Sequence, residues 1–125
     1  MKEIIFTPKA PAPIGPYSQA VKVGNTLYVS GQIAINPATG SLETINILRE
    51  TNQVMHNIMV ILETAGMNLS DIVKTTIYLS DMNNFSSVNE VYSEYFTGDF
   101  PARETVQVSR LPKDVNVEIS VVAVK

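Results

Sequence analysis

An arginine, a glutamate and several hydroxyl and amide side chains near the C-terminal end of this chain are spaced so that they could hold a carboxylate and move a proton. The segment DFPARETVQV, residues 99–108, places Arg103 directly after Phe100-Pro101-Ala102, with Thr105 and Gln107 following at intervals of two. The chain has only three arginines, Arg49, Arg103 and Arg110. A guanidinium is a planar fork that donates two parallel hydrogen bonds to a carboxylate. A glutamate beside it, such as Glu118 in VNVEISVVAVK, would accept and return a proton. The alternative is a solvated sheet face on which Arg103 and Glu118 form a cross-strand pair worth about 0.2–1 kcal/mol.

The choice turns on the two strands that carry these residues. Val106 and Val108 alternate with Arg103, Thr105 and Gln107, and Val115, Val117, Ile119 and Val121 alternate with Asn116, Glu118 and Ser120. If residues 103–109 and 115–124 form an antiparallel hairpin around Leu111-Pro112-Lys113-Asp114, their apolar sides share the core. Arg103, Thr105, Gln107, Glu118 and Ser120 then become neighbours on the opposite face. Val122 and Val124 favour a covered pocket there, because a freely solvated face should not end in two valines. A subunit interface would supply the cover.

The rest of the chain provides the scaffold. EIIFT, residues 3–7, suits a short strand, and Pro8 to Pro16 is extended or turning. SQAVKVGNTLYVSGQI carries two β runs around Gly24-Asn25, a tight hairpin. From Arg49 to Ala65 the period changes: Val54, Met55, Ile58, Ile61, Leu62 and Ala65 mark one helix face, closed by Gly66. A strand over 72–79 and a second helix over 85–96, with Phe85, Val88, Val91, Tyr92, Tyr95 and Phe96 inward, complete the order ββ(β)αβαββ. Two helices cover only one face of such a sheet.

Composition narrows the function. A chain of 125 residues suits one domain, residues 1–125. A net charge of -3 and a pI near 5.0 speak against a non-specific nucleic-acid binder. No run approaches the length of a membrane span and no signal-peptide pattern is present, so a cytoplasmic location is expected. Cysteine is absent, which excludes disulfides and thiol nucleophiles. The single histidine, His56, falls on the polar side of its helix, so neither a catalytic triad nor a multi-histidine metal site can be built on it. Ser30-Gly31 follows the run Leu27-Tyr28-Val29, and a strand glycine there marks either a bulge or a backbone facing a ligand. Tyr17 in IGPYSQ is read, on its own, as packed under a proline-stiffened loop.

Taken together, APAPIGPYSQAV, YVSGQIAINPATG, AGMNLSDIVKTTIYLSDMNNFSSVNEVY, FPARETVQVSRLPKDV and VEISVVAV closely resemble the RidA/YjgF family of reactive-intermediate deaminases, in order and over nearly the whole chain. The resemblance implies an α+β, chorismate-mutase-like fold: a mixed sheet with two helices on one face, trimeric, with the sheets facing the centre and active sites between subunits. It implies hydrolysis of 2-imino acids or their enamine tautomers, such as 2-aminoacrylate, to 2-oxo acids and ammonia, without metal or organic cofactor. Arg103 matches the family's carboxylate clamp and Glu118 the acid that handles the hydrolytic water. Tyr17, Ser30, Gly31 and Asn89 match residues lining the same cleft, and Thr105 stands beside them where several members have cysteine. Ser120 replaces a second glutamate, and Ala34 a proline common after SGQI. The alternatives are a non-catalytic trimer that binds small carboxylates and, against the charge, a ribonuclease or translation inhibitor.

Overall fold

The computed structural model describes residues 1–125. Six strands form one sheet: β1 (Lys2–Ile5), β2 (Ala20–Val23), β3 (Thr26–Gln32), β4 (Ile72–Leu79), β5 (Ala102–Gln107) and β6 (Val117–Val124). Their order across the sheet is β1-β2-β3-β6-β4-β5, and every pairing is antiparallel except β4 with β5. Two helices, α1 (Ile47–Thr64) and α2 (Phe85–Ser93), connect β3 to β4 and β4 to β5. Parallel neighbours require such a crossover, and a helix supplies it.

Local chemistry places each element. Asn46 caps α1, its side-chain oxygen accepting from the Arg49 amide at 2.8 Å, so the helix begins two residues before the apolar stripe suggests. At the other end Gly66 (φ +77°) donates to the Glu63 carbonyl and Met67 to the Leu62 carbonyl, closing the helix as a Schellman turn. The Gly24-Asn25 pair makes the expected two-residue turn between β2 and β3. β1 ends at Ile5, before the expected Thr7, because the Thr7 amide leaves the ladder and donates to the buried Gln19 side chain at 2.7 Å. α2 stops at Ser93, before the expected Phe96, where tighter turns continue through Tyr95 and Phe96.

Val54, Met55, Ile58, Ile61 and Leu62 of α1 and Val88 and Tyr92 of α2 pack against Leu27, Ile77, Leu79, Val117, Ile119, Val121 and Ala123. β6 lies in the middle and is apolar on one side throughout. The α+β fold, with a mixed sheet and both helices on one face, is the one expected. The opposite face carries Ile4, Val23, Tyr28, Val106 and Val124, all exposed in the protomer.

One expectation fails. β5 and β6 do not form a hairpin, because β4 lies between them, parallel to β5 and antiparallel to β6. Arg103, Thr105 and Gln107 pair with Thr75, Ile77 and Leu79, which face the helices. Glu118 and Ser120 pair with Tyr78 and Thr76, on the uncovered face. Residues paired across neighbouring strands share a face. Arg103 and Glu118 therefore lie on opposite sides of the sheet within one protomer.

Candidate functional site

The candidate residues fall into two clusters, one on each face of the sheet. On the helix side, Arg103 projects from the edge strand β5 beneath α2. With Asn89, Tyr92, Ser93, Phe100 and Pro101 it lines a cleft of about 290 Å³. Its guanidinium carbon lies 5.2 Å from the Tyr92 ring centre and 5.8 Å from that of Phe85. Arg49 pairs with Glu43 and Arg110 with Asp114, whereas the Arg103 side chain makes no ion pair or hydrogen bond within the chain. Two residues further along the same strand face, the Thr105 hydroxyl is buried without a partner. Tyr92 donates to the Thr75 hydroxyl at 2.8 Å. Burial raises the Tyr92 phenol pKa above its ordinary value, against the opposing effects of that hydrogen bond and the Arg103 charge.

On the uncovered face, Glu118 lies in a cleft of about 350 Å³ with Ile14, Tyr17, Ser30, Gly31, Ile33 and Pro112. Burial pushes its carboxyl pKa above the ordinary glutamate value of 4.5, and no hydrogen bond within the chain offsets this. Gly31 sits in the irregularity where the β3–β6 register shifts between Val29 and Gln32. The bulge reading of this glycine therefore holds, and its Cα lies against the Glu118 carboxylate. A side chain at Gly31 would overlap Glu118 Oε2, with its Cβ 2.8 Å from Cδ. The Tyr17 hydroxyl accepts from the Ile14 amide at 3.3 Å, and the ring is half exposed rather than packed down.

Three buried polar side chains hold the segments around this second cleft. Gln19 donates to the carbonyls of Thr7, Ala10 and Pro11 and accepts from the Thr7 amide, shaping the loop that ends in Tyr17. Asn57 donates to the carbonyls of Ile33 and Ile35. Glu50, fully buried on α1, accepts from the amides of Asn116 and Val117 and from the Asn116 side chain, at 2.7, 3.2 and 2.7 Å. It thus pins the start of the strand that bears Glu118. Sequence reasoning passed over Gln19, Asn57 and Glu50, although Glu50 carried a signal: a charge one turn before Val54 on the apolar stripe. His56 is exposed, as expected. No three histidine, cysteine, aspartate or glutamate side chains are grouped to hold a metal ion. No helix is long and apolar enough to cross a membrane.

A guanidinium with an unused fork and a partly desolvated carboxylate are the parts needed to clamp an anion and transfer a proton. Known proteins share this scaffold. A RutC family protein of Pyrococcus horikoshii is 57% identical over 125 residues, covering 100% of this chain and 99% of its own length. A human protein named 2-iminobutanoate/2-iminopropanoate deaminase is 46% identical, covering 100% of this chain and 91% of its own. A crystal structure from Yersinia pestis, described as a protein of unknown function of the conserved Rid family, superposes with a TM-score of 0.97 at 51% identity, covering 100% of both chains. Residues 7–125 match the family model described as Endoribonuclease L-PSP, and the chain belongs to that family, the YjgF/RidA family.

Proposed function

We propose that this protein is a hydrolytic deaminase of 2-imino acids, converting 2-iminobutanoate, 2-iminopropanoate and 2-aminoacrylate to 2-oxo acids and ammonia. The observation that carries the reading is Arg103, the one arginine whose fork is unspent, set at the mouth of a cleft after Pro101-Ala102. The name of the human relative points to the same substrates.

The reaction asks for an anchored carboxylate and a positioned water. Arg103 holds the substrate carboxylate. Glu118 takes a proton from water as the water oxygen bonds to the imine carbon and the C=N electron pair moves onto nitrogen. Returned to nitrogen, that proton gives a carbinolamine; Glu118 then takes the carbinolamine hydroxyl proton as the carbonyl forms and passes it to nitrogen, so that the C–N bond breaks and ammonia leaves. Tyr17 and the Ser30–Gly31 backbone shape the cleft, and Asn89 and Thr105 flank Arg103. The chemistry requires no cofactor.

Arg103 and Glu118 lie on opposite faces of one sheet, so this mechanism uses two subunits: Arg103 of one protomer beside Glu118 of its neighbour in a trimer. The apolar residues of the uncovered face, Tyr28, Val106 and Val124 among them, support such an assembly. A nuclease role would need a basic, aromatic groove, which a net charge of -3 does not favour.

The test couples the protein to a pyridoxal-phosphate threonine dehydratase and follows decay of the released imine, with Arg103→Ala in parallel. Faster imine loss with the wild type alone supports the reading. Equal rates with both overturn it.

A further inference from the structure

We propose that Phe85 and Tyr92 are positioning residues whose ring faces hold the Arg103 guanidinium while its N–H groups stay free for a carboxylate. The proposal rests on the role of Arg103 in the preceding reading. Phe85 and Tyr92 stand seven residues apart on α2, two turns of one helix face, with Asn89 between them. Both ring centres lie within 6 Å of the guanidinium carbon, the range in which an aromatic face attracts a cation.

The chemistry of the neighbours is what matters. The other two arginines of the chain are restrained by acids, Arg49 of α1 by Glu43 and Arg110 of the loop after β5 by Asp114. A carboxylate restrains by occupying part of the fork and by offsetting the charge, so an arginine so paired has fewer donors and less charge to offer a ligand. An aromatic face attracts the cation through the ring quadrupole and accepts none of its in-plane N–H groups. Two rings can thus orient the side chain and leave its donors available. Tyr92 is itself fixed by its hydrogen bond to Thr75, on the strand that pairs with β5, so the cradle and the arginine share one rigid frame. Phe85 is about one-third exposed at the rim and can be changed without opening the core.

The test measures calorimetric binding of 2-oxobutanoate and the kinetics of imine hydrolysis for the wild type, Phe85→Leu and Phe85→Tyr. Leucine keeps apolar bulk and removes the quadrupole, and tyrosine restores it. Phe85→Leu is expected to weaken 2-oxobutanoate binding about two- to tenfold. It should raise KM by a similar factor with kcat nearly unchanged, the signature of lost uniform binding. Phe85→Tyr is expected to bind as the wild type does. Tyr92→Phe, which keeps the ring and loses the Thr75 bond, should retain most of the affinity.

Wild-type affinity in Phe85→Leu overturns the proposal, as does an equal loss in Phe85→Leu and Phe85→Tyr. If the wild type binds 2-oxobutanoate but hydrolyses no imine, the deaminase reading fails while the binding series still decides the cradle. If the wild type binds no 2-oxobutanoate, Arg103 is not an anion clamp and the proposal falls with it.

Discussion

Replacing Gly31 with alanine should separate activity from stability. The new Cβ would overlap Glu118 Oε2 and lie 2.8 Å from Cδ and 3.1 Å from Cγ, so the carboxylate must move. What moves is the far end of a flexible side chain in an open cleft, not backbone. Forcing Glu118 off its rotamer costs about 0.5–1.5 kcal/mol, which bounds the loss of folding stability. The glycine itself has no positive φ that would add backbone strain. Catalysis should suffer far more, since a displaced general base forfeits about 10²–10⁴ in rate. Urea unfolding and dehydratase-coupled imine hydrolysis measure the two effects on one preparation. The Gly31→Ala/Glu118→Gln double variant should be no slower than Glu118→Gln alone, because both changes remove the same group. Wild-type turnover in Gly31→Ala would refute the reasoning, and so would a stability loss above about 3 kcal/mol, which is the scale of a core defect.

Other perturbations probe the remaining parts. Glu50→Ala strands two backbone amides and the Asn116 side chain and should cost about 2–5 kcal/mol by urea unfolding. Glu50→Gln keeps one acceptor and should recover much of that loss. Arg103→Ala and Glu118→Gln, each inactive alone, should regain imine hydrolysis when unfolded together and reassembled, as the proposed trimer with sites shared between subunits requires. Recovery no better than the sum of the two separate preparations would refute a site shared between subunits. The folded-state pKa of Glu118 is raised by burial, so its ionisation opposes folding. That cost is absent below the unfolded-state pKa and complete above the folded one. Glu118→Gln should therefore be slightly more stable than wild type at pH 7, with the difference vanishing as pH falls through the glutamate range. Hydrolysis should fail on acidification as Glu118 protonates, with Arg103 in the proposed shared site drawing that pH down from where burial alone sets it.

Much of this architecture is legible in the residues alone. The stripe from Val54 to Leu62, the Gly24-Asn25 turn and the Ile72–Leu79 strand are local patterns, and local patterns survive folding because they reflect backbone geometry and short-range burial. The two-helix, one-sheet layering follows from counting faces. The motifs around Arg103, Glu118 and Tyr17 carry the family resemblance before any fold is known.

Strand order was not legible. A hairpin is the cheapest pairing for consecutive strands, but β4 already offers β5 a partner across the α2 crossover, and β6 enters on the other side. The alternation of Val106 with Arg103 and Thr105 marks two faces but not which of them meets the helices. An apolar face reads alike in sequence whether it meets its own helices or another subunit, and Val106 belongs to the uncovered side. The types and spacing of the candidate residues are thus written in the sequence of this protein. Which side of the sheet each one occupies was decided only by tertiary structure, because pairing partners hundreds of atoms apart along the chain set the direction in which every second side chain points.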